Sequence, residues 1–171
     1  ARGYTGRKKI LKTEGAWHGT YDYACASYRP PLDRAGPERT PHTIPESAGF
    51  VHEDIINSTL VVPFNDSDAM EDTVKRNKKE LAAVIIEPII HNCGAIMPRE
   101  CYLQSVREIT KDNDVPLIFD EVITGFRGAP GGAQEYYGVE ADISTFGKAI
   151  ANGYPIAAVV GKKDILQASG P

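Results

Sequence analysis

The stretch that most constrains this chain is Val115 to Arg127, VPLIFDEVITGFR. Val115 to Phe119 is a short apolar run of the kind that forms a strand buried on both faces. It stops at two adjacent acids, Asp120 and Glu121. Strands of that kind belong to parallel sheets, and open α/β sheets bind ligands at the carboxyl ends of their strands. Asp120 therefore stands where a carboxylate can face a bound cation. Glu121 points the other way if the strand continues, and the expected partner for it is a local cation, Arg127. Gly125-Phe126-Arg127 then turns the chain away.

Two cations suit Asp120. One is Mg²⁺ in a nucleotide hydrolase, which needs the loop G-x-x-x-x-G-K-[ST]. The only Gly-Lys pairs are Gly147-Lys148 and Gly161-Lys162, and neither has the upstream glycine or the following hydroxyl. The other is the protonated ring nitrogen of pyridoxal phosphate, kept charged so that the ring can draw electrons from a carbanion. That chemistry needs a lysine at the same edge. The segment Ala141 to Lys148, ADISTFGK, supplies one. A lone lysine is ordinarily a solvated surface residue. Lys148 departs from that because it sits where a strand empties onto the ligand edge, where an amine can serve as nucleophile and then as base.

Other residues reach the same edge. Glu87 ends a second buried strand, Leu81 to Glu87, and as a bland alternative is a plain strand-end acid before Pro88. Trp17 and His18 lie in a glycine-flanked turn, GAWHG. Their rings serve either core packing or stacking on a planar cofactor. Asn92, five residues past Glu87, either hydrogen-bonds a cofactor hydroxyl or satisfies its own loop. Each is a weak signal alone; their order at successive strand ends is the stronger one.

The remaining elements follow the alternation strand, helix, strand that indicates a parallel α/β sheet. Strands are expected within Lys8 to Glu14, and at Thr59 to Pro63, Ile143 to Phe146 and Ile156 to Val160. The last strands are the place where the parallel pattern can break. Helices are expected within Thr20 to Ser27, from the Asn65-Asp66-Ser67 cap to about Lys79, from Pro98 to about Thr110, and over Ala133 to Tyr137. In the third, Tyr102, Val106 and Ile109 share a face. Arg29 to Phe50 reads as an irregular excursion rich in Pro, Arg and Gly.

With 42% hydrophobic and 25% charged residues among 171, the composition is that of a globular protein with one sizeable core. A net charge of -4 argues against a nucleic-acid surface. No apolar run approaches membrane-span length. Three widely spaced cysteines, Cys25, Cys93 and Cys101, form no CxxC pair, which points to a reducing, cytoplasmic compartment and to no metal site.

At this point a resemblance carries further than spacing. The strings GAWHG, VVPFND, AAVIIEPI, LIFDEVITGFR and GGAQEYYGVEADISTFGKAIANGYPIAAVVGKKDI resemble the class III aminotransferases, pyridoxal-phosphate enzymes of fold type I. The likeness spans Tyr4 to Ile165 and is strongest to the branch that includes glutamate-1-semialdehyde aminomutase. It implies a three-layer αβα large domain with a mostly parallel sheet. It implies that Lys148 is the Schiff-base lysine and Asp120 the acid that pairs with the pyridinium nitrogen. Val122 would pack on one ring face and Trp17, with His18 beside it, on the other, although that branch more often carries Tyr or Phe at the position of Trp17. Asn92 would lie near the phenolic oxygen, and Glu87 would help organise the site. The family's phosphate-binding loop and its small C-terminal domain have no counterpart in residues 1–171. The chain is therefore expected to be the central part of the large domain, inactive as a fragment. The resemblance further implies a homodimer acting on a small-molecule amino donor and a carbonyl acceptor, away from nucleic acid and membranes. Intermolecular transfer, aminomutase chemistry and a non-catalytic scaffold all stay open at this stage. The nucleotide hydrolase is the remote fourth.

Overall fold

The structure is a computed structural model that describes residues 1–45 and 53–168. The far end of the Arg29 to Phe50 excursion thus lies outside the described residues. Six strands form one sheet: β1 (Lys9–Thr13), β2 (Thr59–Val62), β3 (Leu81–Ile86), β4 (Leu117–Asp120), β5 (Ile143–Phe146) and β6 (Ala158–Gly161). Their order is β2-β1-β3-β4-β5-β6. All neighbours are parallel except β5 and β6, which are antiparallel. The break in the pattern therefore falls at the final strand, as expected.

The helices are α1 (Arg2–Thr5), α2 (Asp22–Cys25), α3 (Glu53–Ser58), α4 (Ser67–Asn77), α5 (Tyr102–Asp112), α6 (Gly132–Tyr137) and α7 (Lys163–Gln167). Two features depart from the sequence reading. Pro98 does not open α5; that helix begins at Tyr102, because Cys101 takes a left-handed backbone (φ 62°) that no helix can run through. The expected helix within Thr20 to Ser27 shrinks to the single turn of α2, which buries Ala24 and leaves Tyr21 exposed. The cap on α4 is as read: the Asp66 carboxylate accepts from the Ala69 N–H at 2.8 Å.

Strand alternation gives the sheet two unlike faces. In register across the strands, Leu60, Leu11, Val84 and Leu117 share one face with Val62, Ile86 and Phe119. That face carries the core, where α4 and α5 bring Met70, Val74, Tyr102, Leu103 and Val106 against it. The opposite face carries the row Val61, Lys12, Ile85, Ile118 and Ile143, and one step nearer the carboxyl edge, Asp120 beside Thr145. At the amino edge the Asp142 carboxylate locks β4 to β5. It accepts from the Leu117 N–H at 2.8 Å, from Arg107 at 2.8 Å and from Lys162 at 2.6 Å. No helix among the described residues is long and apolar enough to cross a membrane.

Candidate active site

Asp120 is the last residue of β4 and is 8% exposed. Both of its oxygens are engaged. His18 Nδ1 lies 2.8 Å from Oδ2. The Val122 N–H and the Thr145 hydroxyl donate to Oδ1 at 3.1 and 3.3 Å. Burial pushes the carboxyl up, but the His18 hydrogen bond and charge, helped by the two donors on Oδ1, outweigh it. The group is held below the usual carboxylate range. With Asp120 ionised, His18 donates through Nδ1–H. Its side chain is 2% exposed, and its buried Nε2 has no partner among the described residues. A buried, ionised carboxylate at the carboxyl edge, backed by an imidazole, is what a protonated ring nitrogen requires.

The turn that delivers His18 is built from glycine. Gly15 and Gly19 both have positive φ, 78° and 84°. Glu87, 3% exposed, clips the turn to the end of β3: its carboxylate accepts from the Trp17 N–H at 2.7 Å and from the His91 N–H at 3.4 Å. Glu87 therefore organises backbone. The Trp17 ring packs at 4.5 Å, tilted by 50°, against the Tyr28 ring.

Lys148 follows β5 by two residues, and the β5 residue Thr145 is the register partner of Asp120. Lys148 is exposed, has a left-handed backbone (φ 48°) and starts the 3-10 turn Lys148–Ala151. A non-glycine residue there costs about 1–3 kcal/mol, a strain found disproportionately at functional sites. A Cβ at Gly147 would lie 3.4 Å from Val122 Cγ1, so Val122 packs directly on the backbone before the lysine. Asn92 sits exposed on the 3-10 turn His91–Cys93 and makes no side-chain hydrogen bond among the described residues. The structure thus brings Asp120, His18, Val122 and Thr145 together and joins Trp17 to Glu87. It does not draw Asn92 into that network.

Glu121 corrects the sequence reading. It is fully buried on the opposite side from Asp120, as alternation requires, but Arg127 is not its partner. Its carboxylate accepts from the Thr124 hydroxyl at 2.8 Å and from the Ala133 and Gln134 N–H groups at 2.7 and 3.1 Å. It caps α6 from a distance, where free N–H groups and the helix dipole favour an anion. Sequence reasoning also missed the direct contact of His18 with Asp120 and the support from Thr145. The His18 contact spans 102 residues and has no local signal. Thr145 was legible in principle, since β5 pairs with β4.

Among the described residues no cluster of His, Cys, Asp or Glu is arranged to hold a metal ion, and Cys93 and Cys101 form no disulfide. An apolar pocket of about 270 Å³ lies beside the α6 cap, lined by Ile89, His91, Met97, Thr124, Tyr136 and Tyr137 among others. A polar hollow of about 500 Å³ lies at the amino edge around Arg7, Arg107 and Asp142, on the far side of the sheet from Asp120.

A parallel sheet with one antiparallel end strand is the architecture of the large domain of fold-type-I pyridoxal-phosphate transferases. Solved structures agree. An omega-transaminase from Sphaerobacter thermophilus superposes with a TM-score of 0.86 at 37% identity, covering 96% of this chain and 37% of that one. A glutamate-1-semialdehyde aminomutase from Pseudomonas aeruginosa gives 0.75 at 29% identity, with 98% and 35% covered. The class III aminotransferase family model matches residues 1–171, and the chain belongs to that family. It is 48% identical over all 171 residues to a glutamate-1-semialdehyde 2,1-aminomutase from Methanocaldococcus jannaschii, and spans 38% of that relative's length.

Proposed function

We propose that this chain is the central part of the cofactor-binding large domain of an enzyme that moves an amino group between an amine or amino acid and a carbonyl compound, with pyridoxal phosphate as cofactor. The single observation that carries the reading is the His18–Asp120 pair on β4, next to the strand that leads to Lys148. Membership of the class III family supports it, and one structural neighbour is a transaminase with PLP bound, at 34% identity and a TM-score of 0.82.

When bound, the cofactor supplies an electron-withdrawing pyridinium that makes a proton on the substrate carbon removable. The chain's residues divide the remaining work. Asp120, held ionised, keeps the proton on the ring nitrogen, and His18 and Thr145 hold Asp120 in place. Lys148 would hold the cofactor through its side-chain amine and, once released by the substrate, would serve as the base that moves a proton at the substrate carbon. Val122 and Trp17 would confine the cofactor ring and Asn92 would offer it a hydrogen bond, while Glu87 holds the turn that presents Trp17 and His18. On this reading the whole enzyme works as a homodimer on small molecules, in a cytoplasmic setting.

A second reading has its own support. Curated relatives from Methanocaldococcus jannaschii and Archaeoglobus fulgidus, each at 48% identity, bear the name glutamate-1-semialdehyde 2,1-aminomutase. In that reading the amine returns to a neighbouring carbon of the same skeleton. Asp120 and Lys148 serve both reactions equally.

The test is an absorption spectrum of the full-length protein with added pyridoxal phosphate, before and after borohydride, beside Lys148→Ala. The expected result is a near-visible band in the wild type that borohydride fixes onto Lys148 and that the variant lacks. Identical spectra for the two proteins would remove Lys148 from the reaction. Feeding glutamate 1-semialdehyde alone, then an amino donor with a separate keto acid, separates the two activities.

A further inference from the structure

β1 runs between β2 and β3, and the row it shares on the site face reads Val61, Lys12, Ile85, Ile118, Ile143. One member of that row is a lysine, and it is 0% exposed. A buried ammonium is costly unless its donors are met, and an apolar side chain would serve a plain core better. Lys12 Nζ donates to the carbonyl oxygens of Ala16 at 2.8 Å and Ala26 at 2.6 Å. Those oxygens stand at the two ends of one loop. Between them lie Trp17, His18 and α2, and His18 is the residue that touches Asp120. The same neck is closed by the Gly15 N–H on the Ser27 carbonyl at 2.8 Å, and Glu87 holds the Trp17 N–H. Lys12 is a compact three-donor cation reaching up from the sheet, and its bonds join both ends of this loop.

We propose that Lys12 is a positioning residue: its buried ammonium ties Ala16 to Ala26 and thereby fixes the loop that sets His18 against Asp120. Lys12 touches no reacting atom. It acts through backbone, two residues from His18 on one side and at the end of α2 on the other. The consequence for catalysis rests on the pyridoxal-phosphate reading above; the consequence for the loop does not.

The experiment uses the full-length protein and compares Lys12→Met with Leu11→Ala. Leu11 is the neighbour of Lys12 in β1 but faces the opposite core, so its loss weakens the fold without touching the loop. Hydrogen–deuterium exchange is read without cofactor, at temperatures of matched thermal stability. In Lys12→Met, amides 14–27 are expected to exchange at least tenfold faster than in Leu11→Ala, while amides 115–122 stay as in the wild type. With pyridoxal phosphate added, the pH midpoint of the visible band is expected to move in Lys12→Met and not in Leu11→Ala. Equal exchange of 14–27 in the two variants overturns the proposal and leaves Lys12 an ordinary core residue. Should Lys12→Met not fold, Lys12→Gln, with a shorter polar stem, is read by the same comparison. A wild type that develops no visible band overturns the cofactor reading alone, since the exchange comparison still decides the role of Lys12.

Discussion

At the scale of single residues, the site depends on how one carboxylate is kept charged. Asp120 is almost fully buried, which by itself favours the neutral acid, yet His18 and two further donors reverse the balance. The sign follows for stability. A carboxyl whose folded value lies below its ordinary 3.8 contributes stability that is fully present above that value and is lost as pH falls through the folded one. Asp120→Asn should therefore flatten the loss of thermal stability on acidification below about pH 4, measured as melting temperature between pH 2.5 and 6. On the pyridoxal-phosphate reading, the same variant would leave the ring nitrogen without an anion. Turnover is expected to fall at least about a hundredfold, the scale seen when one preorganised electrostatic partner is removed. A variant with wild-type turnover would take the pyridinium role away from Asp120.

At the scale of elements, the two adjacent acids at the end of β4 divide: Asp120, its last residue, lies on the proposed site face, and Glu121, just past it, is architectural. Glu121 caps α6 across twelve residues, and Gly132 is the fit that allows it: with φ at 75°, a Cβ there would collide with the Glu121 carboxylate. Gly132→Ala thus combines a left-handed alanine with broken charge-assisted bonds to buried N–H groups. The expected cost is about 2–4 kcal/mol, read from denaturant unfolding, with exchange rising first at Ala133 and Gln134. Unchanged stability would mean that the cap contributes little. The Arg127 pairing expected from proximity does not form because backbone N–H groups at a helix start lie nearer, and already point at the acid. α5 starts later than expected because Cys101 has left-handed geometry that residue type does not announce.

At the scale of the whole molecule, the sheet separates stability from chemistry by its faces. Phe119 lies in the α4–α5 core, while its neighbour Asp120 lies on the site face. Phe119→Ala should lower unfolding free energy by about 3–5 kcal/mol. At temperatures where the variant stays folded, its visible band with added pyridoxal phosphate, read before borohydride, should keep the wild-type pH midpoint; a shifted midpoint would show that the two faces are coupled through β4. The sheet type, the carboxyl-edge positions of Asp120, Glu87 and Lys148, and the antiparallel end were legible in the sequence, because strand periodicity and strand-end punctuation are local. Glycine placement likewise marked the Trp17–His18 turn. What that turn touches was not legible. His18 meets Asp120, Glu87 holds a backbone N–H, and Lys12 reaches two carbonyls across a loop only once β1, β3 and β4 lie side by side. A lysine inside a central parallel strand was the one local anomaly, and its meaning needed both ends of the loop in place. By itself the sequence determined which groups stand at the ligand edge, since each is set by its own strand. Only the tertiary structure decided which of them share protons and which merely hold the frame, because partners far apart in the chain are chosen by packing and not by spacing.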